Sequence, residues 1–294
     1  MCGRFAIAAS PGDLIEEFAI TVGYNGPSLP ADWNVAPTRP IYIIKDNEAK
    51  ERELDVVSWG LISPWAKDRA AAIKSQSMAI NARTESVHEK PTFRSAFRSR
   101  RCLIPVTGYY EWATEVGAFD PKQPFYIHLA NENVYIHLAN ENVYIHLANE
   151  NAEIDSQSLV AGKKVLSQDG DLSSIKFSDY FLPHQKHLLL AGIYDRWVDA
   201  NGEIFESAAI ITREAEGSLA KIHHRMPTFL PSDRWDAWLD PEQKDVAMLQ
   251  KLLDFPEPTQ LLSADPVSTR VNYVRNNDPG LILPIEIQEQ QTLF

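Results

Sequence analysis

Four short polar stretches of this 294-residue chain hold the residue types that nucleophilic and acid–base chemistry needs. Cys2 and Arg4 stand in Met1-Cys2-Gly3-Arg4-Phe5, and Asn81, Arg83 and Glu85 in Ile80-Asn81-Ala82-Arg83-Thr84-Glu85. Gly108-Tyr109-Tyr110-Glu111-Trp112 places one acid among aromatic rings, and Ile222-His223-His224-Arg225-Met226-Pro227 sets an imidazole before a cation. Cys2 is one of only two cysteines. With Met1 removed it would carry a thiol and a free α-amine on neighbouring carbons, a pair with chemistry that neither group has alone. Each stretch also has a plain structural reading. Glu111 fits a partly buried acid bonded to backbone, His223 a structural turn, and Asn81 a helix cap.

The elements that must position these residues are short. Residues 11–24 read as a helix opened by Pro11, with apolar positions at 14, 15, 18 and 19. Strands are expected at Ile41–Ile44, Leu54–Gly60, Cys102–Val106, Phe125–Leu129, Leu188–Tyr194 and Ser207–Thr212. Glu85–Arg101 is partly helical and broken at Pro91. Further helices are expected at 232–239, capped by Ser232, and at 241–253. Many short strands with few helices predict an α+β fold with mainly antiparallel pairing. Residues 125–151 are three near-identical nonapeptides, FYIHLANEN and VYIHLANEN twice. A strand and a turn per copy is the simplest solution, because nine is odd and an unbroken strand would flip each copy's faces. His128, His137 and His146 recur at this period without a carboxylate or thiolate at ligand spacing, so no metal is expected. With the polar stretch that follows, residues 131–187 read as an insertion into a single domain spanning 1–294, which ends in a short tail, 285–294.

The chain is acidic, with a net charge of −12, which argues against a broadly basic nucleic-acid coat. Charge is uneven, however. Between Trp59 and Arg101 nine Lys/Arg face three acids, so this segment carries +6. A basic segment in an acidic protein fits either one defined anionic ligand or a solvated face. The cysteines are too few for a disulfide framework, and Cys102 reads as a buried strand residue. No apolar run and no charged, apolar start indicates membrane insertion or secretion, so the cytoplasm is the expected compartment.

Together the motifs MCGRF, WNVAPT, SWGLISPWAK, INARTES, RCLIPVTGYYEW, KQPFYIHL, AGIYDRW, IHHRMP and PVSTRVNYVRNNDPG resemble the SRAP family (SOS-response-associated peptidases, the abasic-site-processing proteins) in content and order. The resemblance spans the chain apart from the repeat, the polar stretch behind it and the last dozen residues. It implies a barrel-like core of twisted antiparallel sheets with a few flanking helices. It also implies a covalent trap for abasic sites in single-stranded DNA, with no cofactor and with a nucleoid-associated location. In that trap an N-terminal amine forms an imine with the open sugar aldehyde, and the adjacent thiol closes a five-membered thiazolidine. Glu111 becomes the general acid/base for sugar ring opening, His223 a proton shuttle or sugar-oxygen ligand, and Asn81 the group that orients the amine or the ring. His224 stands where relatives commonly carry an acid. Arg4 and Arg83 would grip phosphates, Pro37 would contact DNA, and Trp65 would stack on a base or be an ordinary core tryptophan.

The same Cys2, His223 and Glu111 also fit nucleophile, base and orienter of a thiol peptidase, with removal of Met1 as self-cleavage. A noncovalent strand-binding adaptor is the third reading. The tail Gln290-Gln291-Thr292-Leu293-Phe294 resembles sliding-clamp-binding peptides, with Gln290, Leu293 and Phe294 as the contacts to a replication clamp, or is a frayed polar terminus.

Overall fold

Runs of Ile, Val and Leu that are buried along both faces build the centre of the molecule, as expected of strands enclosed on each side. The computed structural model describes residues 2–113, 122–130, 185–255 and 261–286. The second and third nonapeptides, with His137 and His146, and the tail residues Gln290, Leu293 and Phe294 lie outside the described residues.

Five strands close into a mixed barrel: β3 (Pro40–Asp46), β4 (Arg52–Trp59), β6 (Arg101–Val106), β9 (Leu188–Val198) and β10 (Ile204–Glu214). Pairing runs β10-β4-β3-β6-β9 and returns to β10, antiparallel except for the parallel β10–β4 contact. Two short strands extend it, β5 (Asn81–Arg83) parallel to β10 and β11 (Arg225–Pro227) antiparallel to it. A second, wholly antiparallel sheet has the order β12-β8-β7-β1-β2. Its strands are β1 (Phe5–Ile7), β2 (Asp32–Val35), β7 (Gly108–Trp112), β8 (Pro124–Leu129) and β12 (Leu262–Pro266). The fold is α+β with a barrel-like core. Among the described residues no helix is long and apolar enough to cross a membrane.

The helices depart from expectation at their ends. Helix α1 covers Pro11–Glu17, where Ser10 and Asp13 form a reciprocal capping box. It stops seven residues short of position 24. Ala19 turns left-handed (φ 49°), and Ile20 N–H donates to Ile15 O at 3.0 Å, a Schellman closure made without glycine. Pro91 begins a helix, α3 (Pro91–Ser99), where a break was expected. Ser232 caps nothing: a 3₁₀ turn at Ser232–Arg234 precedes α4 (Trp235–Leu239). The helix expected at 241–253 is α5 (Val246–Leu253), started by Asp245 Oδ1 accepting from Ala247 and Met248 N–H. Helix α2 (Arg69–Met78) was not foreseen, since it buries only Ala72 and Gln76 and so shows little apolar period.

The basic segment is partly structural. Arg101 is buried in β6 and donates to the carbonyls of Trp238, Phe97 and Asp240 at 2.7, 3.1 and 2.5 Å. Arg100 pairs with Asp195 at 3.0 Å. The remaining seven cations of the segment are exposed. Gly60, at φ +113°, turns the chain out of β4 toward Trp65, and a Cβ there would meet Gln76 O at 2.3 Å. Cys102 is fully buried in β6, as its sequence context predicts.

Candidate active site

Four residues that are far apart in sequence converge where the two sheets meet. Strand β1 pairs antiparallel with β7 through Phe5 and Tyr109, and Tyr110 N–H donates to Arg4 O at 2.9 Å. Antiparallel pairing therefore carries Cys2, just ahead of β1, past the end of β7 that holds Glu111. The parallel register of β5 on β10 sets Asn81 beside Ile210 and Arg83 beside Thr212. From there Asn81 Nδ2 donates to Cys2 O at 2.8 Å. Strand β11 follows the turn that bears His223, whose Nδ1 lies 4.0 Å from Glu111 Oε2.

Burial sets the charge states. Cys2 is fully buried, which pushes its thiol well above the usual range, and the nearby Glu111 charge adds to the effect. Glu111 is also buried, and desolvation raises its carboxyl to about 7. His223 is lowered to about 4, again chiefly by burial. Its Nδ1 accepts from Arg225 N–H at 2.9 Å, so the neutral ring carries its proton on Nε2. Near neutral pH the site thus holds a half-protonated carboxyl beside an uncharged imidazole. The buried Asn81 Oδ1 has no hydrogen-bond partner among the described residues, which leaves one acceptor beside Cys2 for an incoming N–H or O–H.

The residues expected to meet DNA differ in their exposure and partners. Arg83 is exposed on β5, Pro37 is half-buried, and Trp65 is 56% exposed, which places it on the surface and not in the core. Arg4 is tied into the fold. Its Nη1 donates to Asn34 Oδ1 at 2.6 Å and Val271 O at 2.9 Å, and its guanidinium lies 6.0 Å from the Trp112 ring centre. His128 pairs with Asp265 at 2.9 Å across β8 and β12. Among the described residues no group of His, Cys, Asp and Glu side chains is placed to hold a metal ion.

Sequence reading did not find the pairing of Glu85 with Arg225. The buried Arg225 guanidinium is bidentate to the Glu85 carboxylate, with Nη2–Oε2 at 3.1 Å, and also donates to Thr212 O at 2.7 Å. This clamp fixes the strand of Asn81 to the strand that follows His223. No local signal joins two residues 140 positions apart. Arg225 holds the Glu85 carboxyl down at about 2, so the pair contributes fully above the ordinary carboxylate range and is lost as pH falls through about 2. Glu85→Ala is expected to cost about 1–2 kcal/mol in chemical denaturation at pH 7. That is less than for a fully buried pair, because about half of the Glu85 side chain faces water.

The SRAP family model, SOS response associated peptidase, matches residues 1–274. The abasic site processing protein YoqW of Bacillus subtilis is 30% identical over 284 residues, 96% of this chain and 99% of that protein. The abasic site processing protein HMCES of Gallus gallus is 28% identical over 249 residues, 84% of this chain and 62% of its own length. A crystal structure of a protein from Bacteroides thetaiotaomicron superposes with a TM-score of 0.69 at 24% identity, over 97% of this chain and all of that one. At that identity the likeness speaks for the fold alone.

Proposed function

The chain belongs to the SRAP family, and from that premise we propose that it processes abasic sites by bonding Cys2 covalently to the open sugar in single-stranded DNA. The names of YoqW and HMCES, both abasic site processing proteins, support the substrate class. The observation that carries the reading is the convergence of Cys2, Asn81, Glu111 and His223 at one buried point.

With position 1 removed, the α-amine of Cys2 attacks the sugar aldehyde at C1′, and the carbinolamine loses water to give an imine. The thiol then adds across the C=N bond: sulfur bonds to C1′ and the thiol proton passes to nitrogen. Atoms balance with one water released and no change of oxidation state. Glu111, near 7, delivers a proton to the ring oxygen as the deoxyribose opens, recovers one from the C1′ hydroxyl that becomes the aldehyde, and later passes it to the departing hydroxyl. As the carboxylate it takes the proton of a thiol that burial keeps protonated. His223, neutral, donates through Nε2 to a sugar oxygen. Asn81 fixes the Cys2 backbone with its amide N–H and offers Oδ1 to the amine. The exposed Arg83 and Trp65 supply a phosphate contact and a stacking face.

Incubation with a single-stranded oligonucleotide bearing one abasic site, followed by denaturing electrophoresis, tests the proposal. A slower band that survives heat in detergent is expected, and its absence with folded protein lacking Met1 rules the reading out.

A further inference from the structure

The motif PVSTRVNYVRNNDPG has no part in the chemistry above, yet it presents a large aromatic side chain to solvent on a rigid support. Tyr273 is 61% exposed and its neighbour Val274 45%. The loop beneath them is fixed by one buried side chain. Asn34 Nδ2 donates to the carbonyls of Val271, Tyr273 and Asn276 at 3.3, 3.2 and 2.8 Å. Asn276 closes the loop on itself, with its Nδ2 on Arg270 O at 2.8 Å and its N–H on Tyr273 O at 2.9 Å.

The same loop is clipped to the two strands of the candidate site. Arg4, two residues after Cys2, donates to Val271 O, and Trp112, next to Glu111, donates from Nε1 to Asn272 Oδ1 at 2.7 Å. Above the support, the exposed Arg275 guanidinium lies 5.5 Å from the Tyr273 ring centre and pairs with no carboxylate among the described residues. A fixed π face beside an unpaired planar cation matches a nucleobase together with its phosphate. Because the loop is already ordered, little conformational entropy is lost when it binds.

We propose that Tyr273 and Arg275 form a nucleotide platform that stacks one unpaired base of the strand delivered to Cys2 and holds its phosphate. This rests on the single-strand reading above and adds a binding site at the opposite end of the chain. The intact protein is titrated into a fluorescein-labelled, lesion-free single-stranded oligonucleotide and followed by anisotropy. Tyr273→Ala is expected to weaken binding about fivefold to a hundredfold, and Tyr273→Trp to restore it. Arg275→Ala is expected to weaken binding and lower the salt slope by about one.

Affinity unchanged in Tyr273→Ala and Arg275→Ala, or no strand binding by the unsubstituted protein, overturns the platform. The first of those outcomes leaves the exposed stack to a protein partner. Parallel crosslinking to the lesion-bearing strand keeps the two readings apart. Strand binding that depends on Tyr273 without covalent capture refutes only the covalent step, whereas capture with Tyr273-independent binding refutes only the platform.

Discussion

Cys2→Ala is expected to eliminate the heat-stable adduct with abasic single-stranded DNA while leaving noncovalent strand binding in place. The variant keeps an N-terminal α-amine, so the imine can still form. Without sulfur the imine cannot close, and water reverses it when the sample is denatured. Adding cyanoborohydride during incubation reduces the C=N bond, with the hydride going to carbon, and should recover a band in Cys2→Ala. The pair of lanes separates loss of ring closure from loss of amine attack. Cys102→Ala serves as the control: that thiol is buried in β6 and has no place in the chemistry, so capture should persist. A heat-stable band from Cys2→Ala without reductant would move the covalent link to another residue.

Much of the barrel was legible, because strands such as Ile41–Ile44 and Cys102–Val106 are apolar on both faces and bounded by turn residues. Helix ends were less so. Nothing in the type of Ala19 announces a left-handed closure, and the surface helix at Arg69–Met78 lacks the apolar stripe that periodicity detects. The candidate site residues are legible one at a time, each motif being local, but their meeting depends on register between strands. Only the structure shows that the register of β5 on β10 lets Asn81 reach the carbonyl of Cys2. Charge counting misled in one respect. Arg101 adds to the basic segment on paper, yet its guanidinium is taken up by three backbone carbonyls. The Glu85–Arg225 clamp and the Asn34 support of the Tyr273 loop were invisible for the same reason, since a single acid or amide acquires its role from partners far away in sequence.

Glu111→Gln is expected to slow covalent capture by about 10²–10⁴ at saturating DNA, the range of a positioned general acid/base, and at the same time to stabilise the fold at alkaline pH. The sign follows from burial. A carboxyl raised from 4.5 to about 7 is a group whose charged form the fold disfavours. As pH rises from 4.5 to 7 the unfolded chain releases its proton while the folded chain retains it, so stability declines across that window and stays lower above it. Removing the ionisable group removes the penalty, worth about 3 kcal/mol at pH 8 and nothing below pH 4.5. His223 acts in the opposite direction. Lowered to about 4, it costs stability as pH falls from 6.5 to 4, because the unfolded chain then takes up a proton that the folded chain refuses. The capture rate of the unsubstituted protein should therefore inflect near pH 7, and that inflection should vanish in Glu111→Gln. Denaturant unfolding at pH 5 and pH 8, set beside single-turnover capture across the same range, reads both effects. Slower capture with greater alkaline stability identifies a group held charge-ready at the expense of the fold. Slower capture with lower stability at both pH values would make Glu111 part of the scaffold and leave proton transfer to another group.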